Sequence, residues 1–178
     1  MDIISHGIWA SLAAKTANKQ YKRPLNLRLA FFFGVFPDLF AFTLPFIFLL
    51  WSFFFYGTFG FDMRNLQEIE GSPQNAFPVA GITYNLYRLS HSAIIFLLVF
   101  FFVFLFLKRP IFEMLGWFLH ILIDIPTHTY KFFPTPFLWP VSDFKIDGFS
   151  WGTPWFLILN YGAIIFVYLI LRLKKGKI

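Results

Sequence analysis

Long apolar blocks, interrupted at a few positions by ionisable residues, organise this chain. Three blocks are clear: Leu39 to Tyr56, Ala93 to Leu107 and Pro154 to Leu171. Extended back to Leu86, the second reaches the roughly 20 residues needed to cross ~30 Å of hydrocarbon. A fourth, Ile111 to Ile125, is shorter and carries Glu113, His120 and Asp124, and short polar-interrupted spans usually line a site or cavity. Ahead of these blocks, Ile3 to Asn18 reads as an amphipathic helix with Ser11, Ala13, Ala14 and Ala17 on part of its surface. A polar, basic connection follows and ends at Pro24. The apolar region from Leu29 to Tyr56 is too long for one simple span, so Gly34, Pro37 and Pro45 predict a kink or break near Asp38. The pattern therefore predicts an all-α polytopic membrane helix bundle of about four transmembrane helices plus the N-terminal amphipathic helix. It forms one domain over residues 1–178, without an internal repeat.

Composition sharpens this picture. The chain is 58% hydrophobic and 24% aromatic with 29 Phe, a make-up that excludes an ordinary soluble domain of this length. The net charge of +6 raises the question of nucleic acid, but the placement of the basic residues answers it. Lys15, Lys19, Lys22, Arg23 and Arg28 precede the first span, Lys108 and Arg109 follow the second, and Arg172, Lys174, Lys175 and Lys177 end the chain. By the positive-inside rule these segments share the cytoplasmic side, giving four spans with both termini cytoplasmic and no role for nucleic acid. Two loops then face outward: Gly57 to Asn85, with Asp62, Glu68 and Glu70, and Pro126 to Thr153, where Trp139, Trp151 and Trp155 can anchor at the interface. The N-terminal segment does not read as a secretory signal, because its Lys cluster follows the apolar part. With no Cys in the chain, disulfides and thiolate metal ligands are excluded.

The candidate chemistry lies in the ionisable residues at membrane depth. His120 and Asp124, at i and i+4, project from one helix face and can bind one ion together; the simpler reading is a hydrogen-bonded pair fastening two helices. His128 continues the series, but Pro126 disfavours helical geometry at Ile125 and puts His128 on a loop. Arg88-Leu89-Ser90-His91-Ser92 stands where the second span begins, Phe33 to Asp38 ends in Pro-Asp, and Asp2-Ile3-Ile4-Ser5-His6 opens the chain. Taken singly, His91 reads as a cap or interface residue and Asp38 as the cap of a helix following the break.

In order, these elements resemble the membrane-bound metal-dependent hydrolase family sometimes described as LexA-regulated. Its opening Asp-x-x-Thr-His is matched at Asp2 to His6, its Gly-x-x-Pro-Asp at Gly34 to Asp38, and its Arg-x-x-Thr-His-Ser at Arg88 to Ser92. Its His-x-x-x-Asp helix is matched at His120 to Asp124, and its Leu-Trp-Pro at Leu138 to Pro140. The chain departs from the family at Tyr87, where a His often precedes the Arg, and at Phe40, where a second Asp often follows Pro-Asp. A more distant similarity is to all-helical zinc-dependent phospholipase C enzymes. The resemblance implies a hydrolase of a prokaryotic inner membrane, acting on a phosphodiester or ester of a lipid or lipid-linked substrate.

Residues and resemblance together give a ligand set of Asp38, His91, His120 and Asp124, with His6 and His128 completing the shell or holding a second ion. Imidazole and carboxylate suit Zn²⁺ first, and Mn²⁺, Fe²⁺ or Co²⁺ also. Such an ion lowers the pKa of a bound water to about 7; Asp38 or Asp124 could take the proton, and Arg88 could hold a phosphate oxygen, unless it is salt-bridged at an interface. Depth agrees for most of the set: at ~1.5 Å per residue His120 lies about 15 Å from Pro110, Asp124 about 21 Å, and His91 about 24 Å from Lys108, all in the outward half. His6 joins them only if the first helix inserts. The rival reading is a non-enzymatic ion or proton transporter, for which intramembrane His and Asp and a Pro-broken helix are also typical. An oligomer could supply the helices that a transporter would lack.

Overall fold

The computed structural model describes residues 1–21, 24–57 and 80–173. They form six α-helices: α1 (Ile3–Tyr21), α2 (Leu27–Tyr56), α3 (Ala80–Ser90), α4 (Ala93–Leu107), α5 (Leu115–Thr127) and α6 (Pro154–Leu173). A 3₁₀ turn, Phe112–Met114, leads into α5. No strand occurs among the described residues; Thr129 and Phe132 form an isolated bridge. The expected outward loop with Asp62, Glu68 and Glu70 lies outside the described residues, as do Lys22, Arg23, Arg64, Lys174, Lys175 and Lys177. The final residues assigned to that loop, Ala80 to Asn85, belong to α3.

α2 is one continuous helix of 30 residues with Pro37 and Pro45 inside it, so of the kink or break expected near Asp38 no break occurs. Each Pro removes one intrahelical hydrogen bond, but packing on α1, α3 and α5 holds the helix together across the gap. Asn26 caps its start by accepting from the N–H groups of Arg28 and Leu29, and Gly57, at φ 67°, ends it in the left-handed conformation.

The break falls instead at Ser90-His91-Ser92, where α3 and α4 meet at 63°. Local chemistry explains it. Ser92 turns extended and caps α4, accepting from Ile95 N at 3.2 Å. The freed backbone groups find partners in the protein: Trp117 Nε1 donates to Ser90 O at 2.5 Å, and Ala93 N donates to Phe137 O at 3.0 Å. A helix can break inside an apolar bundle only when its polar groups are satisfied in this way.

α1 does not lie on a surface. Ser5, His6, Gly7, Ala10, Leu12 and Ala14 are buried, and the helix packs on α2, α5 and α6. Small residues permit this. A Cβ on Gly34 would stand 2.7 Å from Ala10 Cβ and from the His6 carbonyl oxygen, and one on Gly116 would stand 2.7 Å from Ala30 O. Three helix backbones, α1, α2 and α5, thus approach closely because Gly occupies the crossings, the packing mode of membrane helices. Beside them, Phe96, Met114, Trp117 and Ile121 form the main apolar core between α4 and α5.

The outer faces are apolar. Phe54, Phe106, Ile158 and Leu159 are exposed along α2, α4 and α6, among many similar residues, a surface suited to lipid. α2 and α6 are long and apolar enough to cross a membrane, and α3 with α4 makes a third candidate if the bent pair is one span. With 13 residues, α5 is ~20 Å long, less than the hydrocarbon thickness.

Candidate metal centre

Four of the sequence-predicted residues converge at the centre of the bundle. Asp38 comes from the middle of α2, His91 from the break between α3 and α4, and His120 and Asp124 from successive turns of α5. One ligand atom from each lies within 4.8 Å of all the others, and all four residues are buried. His91 Nε2 and His120 Nε2 are 3.1 Å apart. Asp124 Oδ2 lies 3.0 Å from His120 Nε2 and 3.5 Å from His91 Nε2, and Asp38 Oδ1 lies 3.7 and 3.4 Å from the same atoms. Ligands bound at about 2.0–2.1 Å in a tetrahedron are about 3.3 Å from one another. The observed separations scatter around that edge.

Backbone carbonyls fix the ring tautomers of His120 and His128. His120 Nδ1 is 2.7 Å from Gly34 O, His128 Nδ1 is 2.8 Å from Phe133 O, and His91 Nδ1 is 3.2 Å from Tyr87 O. A carbonyl only accepts, so the Nδ1 of His120 and of His128 carries a proton and Nε2 faces the carboxylates, while His91 Nδ1 also has Ser90 Oγ, which can donate or accept, at 2.9 Å. The two Nε2 atoms of His91 and His120, 3.1 Å apart beside two carboxylates, are placed to share a proton or a metal cation. This commitment of the far ring nitrogen is also how protein metal sites orient imidazole ligands.

His6 and His128 reach the other side of Asp124. His6 Nε2 is 2.9 Å and His128 Nε2 3.4 Å from Oδ1, and the Met1 nitrogen is 2.5 Å from the same oxygen. The His6 ring stacks on His120 at 3.6 Å. His6 therefore arrives because α1 inserts into the bundle. His128 stands just past α5 as its extended cap, with its N–H donating to Asp124 O at 3.1 Å, close to its expected loop position. Neighbouring loop backbone secures it: Gly148 N donates to His128 O at 2.9 Å and Trp151 N to Thr127 O at 3.2 Å. Asp124 Oδ2 and both ring nitrogens of His6 are buried without a hydrogen bond. The orphaned carboxylate oxygen, and the His6 nitrogen that carries no proton, fit a bound cation.

Asp2, outside the cluster, positions His6. Its carboxylate accepts from Ser5 N at 3.0 Å and Ser5 Oγ at 2.6 Å, capping α1, and from Tyr161 Oη at 3.0 Å, tying α1 to α6. Burial acts to raise the Asp2 pKa, but the Ser5 and Tyr161 hydrogen bonds and His6 outweigh it and hold the carboxyl below its usual value.

Arg88 is placed elsewhere. Its guanidinium lies 3.6 Å from Asp143 Oδ1 and over the rings of Trp139 and Tyr84 at 4.9 and 5.7 Å, the interface role of the two weighed for it. Tyr87, marked only as a departure from a family pattern, is part of the setting. It is 1% exposed, its ring stacks on His91 at 3.8 Å, and its hydroxyl donates to Phe133 O at 2.7 Å. Phe40 is exposed, two residues from Asp38 and so near the opposite face of α2. The structural role of Tyr87 had one legible signal: it is four residues before His91, one helical turn away.

Compared with known proteins, the chain matches no protein-family model, no curated protein and no solved structure.

Proposed function

We propose that this chain is a membrane-embedded metal-dependent hydrolase acting on an ester or phosphodiester of a lipid or lipid-linked substrate. The observation that carries the reading is the pair of Nε2 atoms of His91 and His120, 3.1 Å apart beside two carboxylates. A divalent ion held by these residues, with Zn²⁺ the first candidate, would supply an acidified water and polarise the scissile group. The chain's own residues divide the remaining work. Asp124, 0% exposed, is held at Oδ1 by the Met1 nitrogen and turns its unpartnered Oδ2 toward His91 and His120, so it serves as a fixed ligand. Asp38 stands slightly farther from the imidazoles and lines a cavity, so its carboxylate is the group placed to accept a proton. His6 and His128 face the other oxygen of Asp124, and a second ion would sit there only with the Met1 nitrogen, 2.5 Å from that oxygen, moved aside. Because Arg88 is engaged with Asp143, it does not serve as the anion clamp in this reading.

The ordered motifs that resemble the membrane-bound hydrolase family support the same activity, as does burial of the cluster among apolar helices. We further propose four crossings, with α5 extended by the 3₁₀ turn before it, and the basic end of the bundle facing the cytoplasm. The test is elemental analysis of detergent-purified protein beside His120→Ala and Asp124→Ala. Near-stoichiometric Zn or Mn, lost in both variants while helical content and monodispersity persist, is the expected result. No metal in the wild type, even after reconstitution, overturns the hydrolase and leaves a proton shared between His91 and His120, the chemistry of a transporter's relay.

A further inference from the structure

Asp2, Asp38 and His128 form the polar end of a cavity of about 520 Å³ whose other walls are almost wholly apolar. One wall is a single stripe of α2: Asp38, Phe42, Pro45, Phe46 and Leu49, spaced i, i+4, i+7, i+8 and i+11 on one helix face. Ile4 of α1 and Phe132 of the loop after α5 stand opposite. Ile4 is 61% exposed and Phe46 46%, so the cavity opens sideways onto the apolar outer surface. Along the stripe, Leu49 lies ~16 Å from Asp38. The volume is in the range of built small-molecule sites, mostly apolar with a few convergent polar groups at one end.

We infer that this cavity holds one acyl chain of the substrate, its headgroup at Asp38 and His128 and its tail along Phe42, Phe46 and Leu49, admitted sideways between α1 and α2. The inference rests on the hydrolase reading for the headgroup and on the cavity alone for the tail. A tail leaving lipid for this cavity exchanges one apolar setting for another and gains little from burial. Anchoring must therefore come from the headgroup at the cluster, and the cavity selects shape and length.

The test uses full-length protein in nanodiscs, first loaded with Zn²⁺, and two alkyl phosphonates that carry a diazirine either beside the headgroup or at the chain end. Cross-links are mapped by mass spectrometry. The expected result is head-proximal labelling at Phe42 and Phe132 and tail labelling at Phe46 and Leu49. Leu49→Trp and, independently, Ile4→Trp should lower tail labelling severalfold, while Leu50→Trp, on an exposed neighbour outside the cavity, should not. Labels confined to the exposed faces of α4 and α6 on protein that holds its metal would overturn the cavity and leave the metal centre standing. Cavity labelling that persists on protein shown to bind no metal would support the cavity and count against the hydrolase.

Discussion

At the scale of single residues, backbone carbonyls lie at the Nδ1 of His91, His120 and His128. The one that aims His120 belongs to Gly34, which meets α1 and α5 because it has no side chain. Gly34→Ala should therefore act on the site as well as on stability. Helix propensity favours Ala by up to about 1 kcal/mol, but a Cβ 2.7 Å from a backbone carbonyl oxygen cannot be relieved by a rotamer change. Overpacking costs about 1–3 kcal/mol, so a lower melting temperature together with weaker metal retention is expected. Tyr87→Phe should behave differently. It removes a hydrogen bond worth about 1 kcal/mol, yet Phe133 O keeps its contact with His128 Nδ1 and the stack on His91 survives. Metal content equal to the wild type by elemental analysis is expected; loss of metal would show that the Tyr87 hydroxyl, not its ring, maintains His91. The ligands were legible in the sequence because ionisable residues at membrane depth are costly. The carbonyls and the Tyr87 ring were not, since neither shows as a departure from an apolar pattern.

At the scale of elements, caps decide where the helices stop, and the stops decide where the ligands stand. Ser92 both starts α4 and, through its hydroxyl, donates to Trp139 O. Ser92→Ala should cost about 1 kcal/mol as a lost N-cap and lower metal affinity, measured by competition with a chromogenic chelator, because His91 is the adjacent residue. Asp2→Ala should cost a similar amount at α1, and the cost should depend on pH. The Asp2 carboxyl is held below its usual value, so its contribution is full above the unfolded pKa of about 3.9 and is lost as pH falls through the folded value. Melting temperatures of wild type and Asp2→Ala should differ at pH 7 and converge toward pH 3. The sequence places turn and breaker residues but not their outcome. Pro37 and Pro45 remain inside a continuous α2, while Ser-His-Ser, with no Pro, makes the 63° break, because the partners that satisfy freed backbone groups come from Trp117 and Phe137, distant in the chain.

At the scale of the whole molecule, contacts gather the basic segments at one end of the bundle. Lys19 Nζ donates to Leu171 O at 2.5 Å, joining the ends of α1 and α6, and Asn26 N donates to Glu113 Oε1 at 2.9 Å, joining the starts of α2 and α5. Lys108 and Arg109 sit in the short link just before that turn. The loop after α5 lies at the other end, against the start of α4. Because the chain has no Cys, single cysteines report sidedness without background. Gln20→Cys and Arg109→Cys should react with an impermeant maleimide from one side of sealed vesicles, and Val141→Cys from the other. Reaction of all three from one side would rule out the proposed crossings. The sequence by itself determined the helical class, the apolar spans and the buried His and Asp positions that could hold an ion, because composition and misplaced charge act locally and leave a trace at each residue. Only the tertiary structure decided that α1 enters the bundle, that His6 faces Asp124, that Arg88 turns away and that Asp38 opens on a cavity. The first two depend on which backbones can approach at Gly34 and Gly116, and Arg88 on Asp143 and Trp139, pairings of distant residues that no local pattern records.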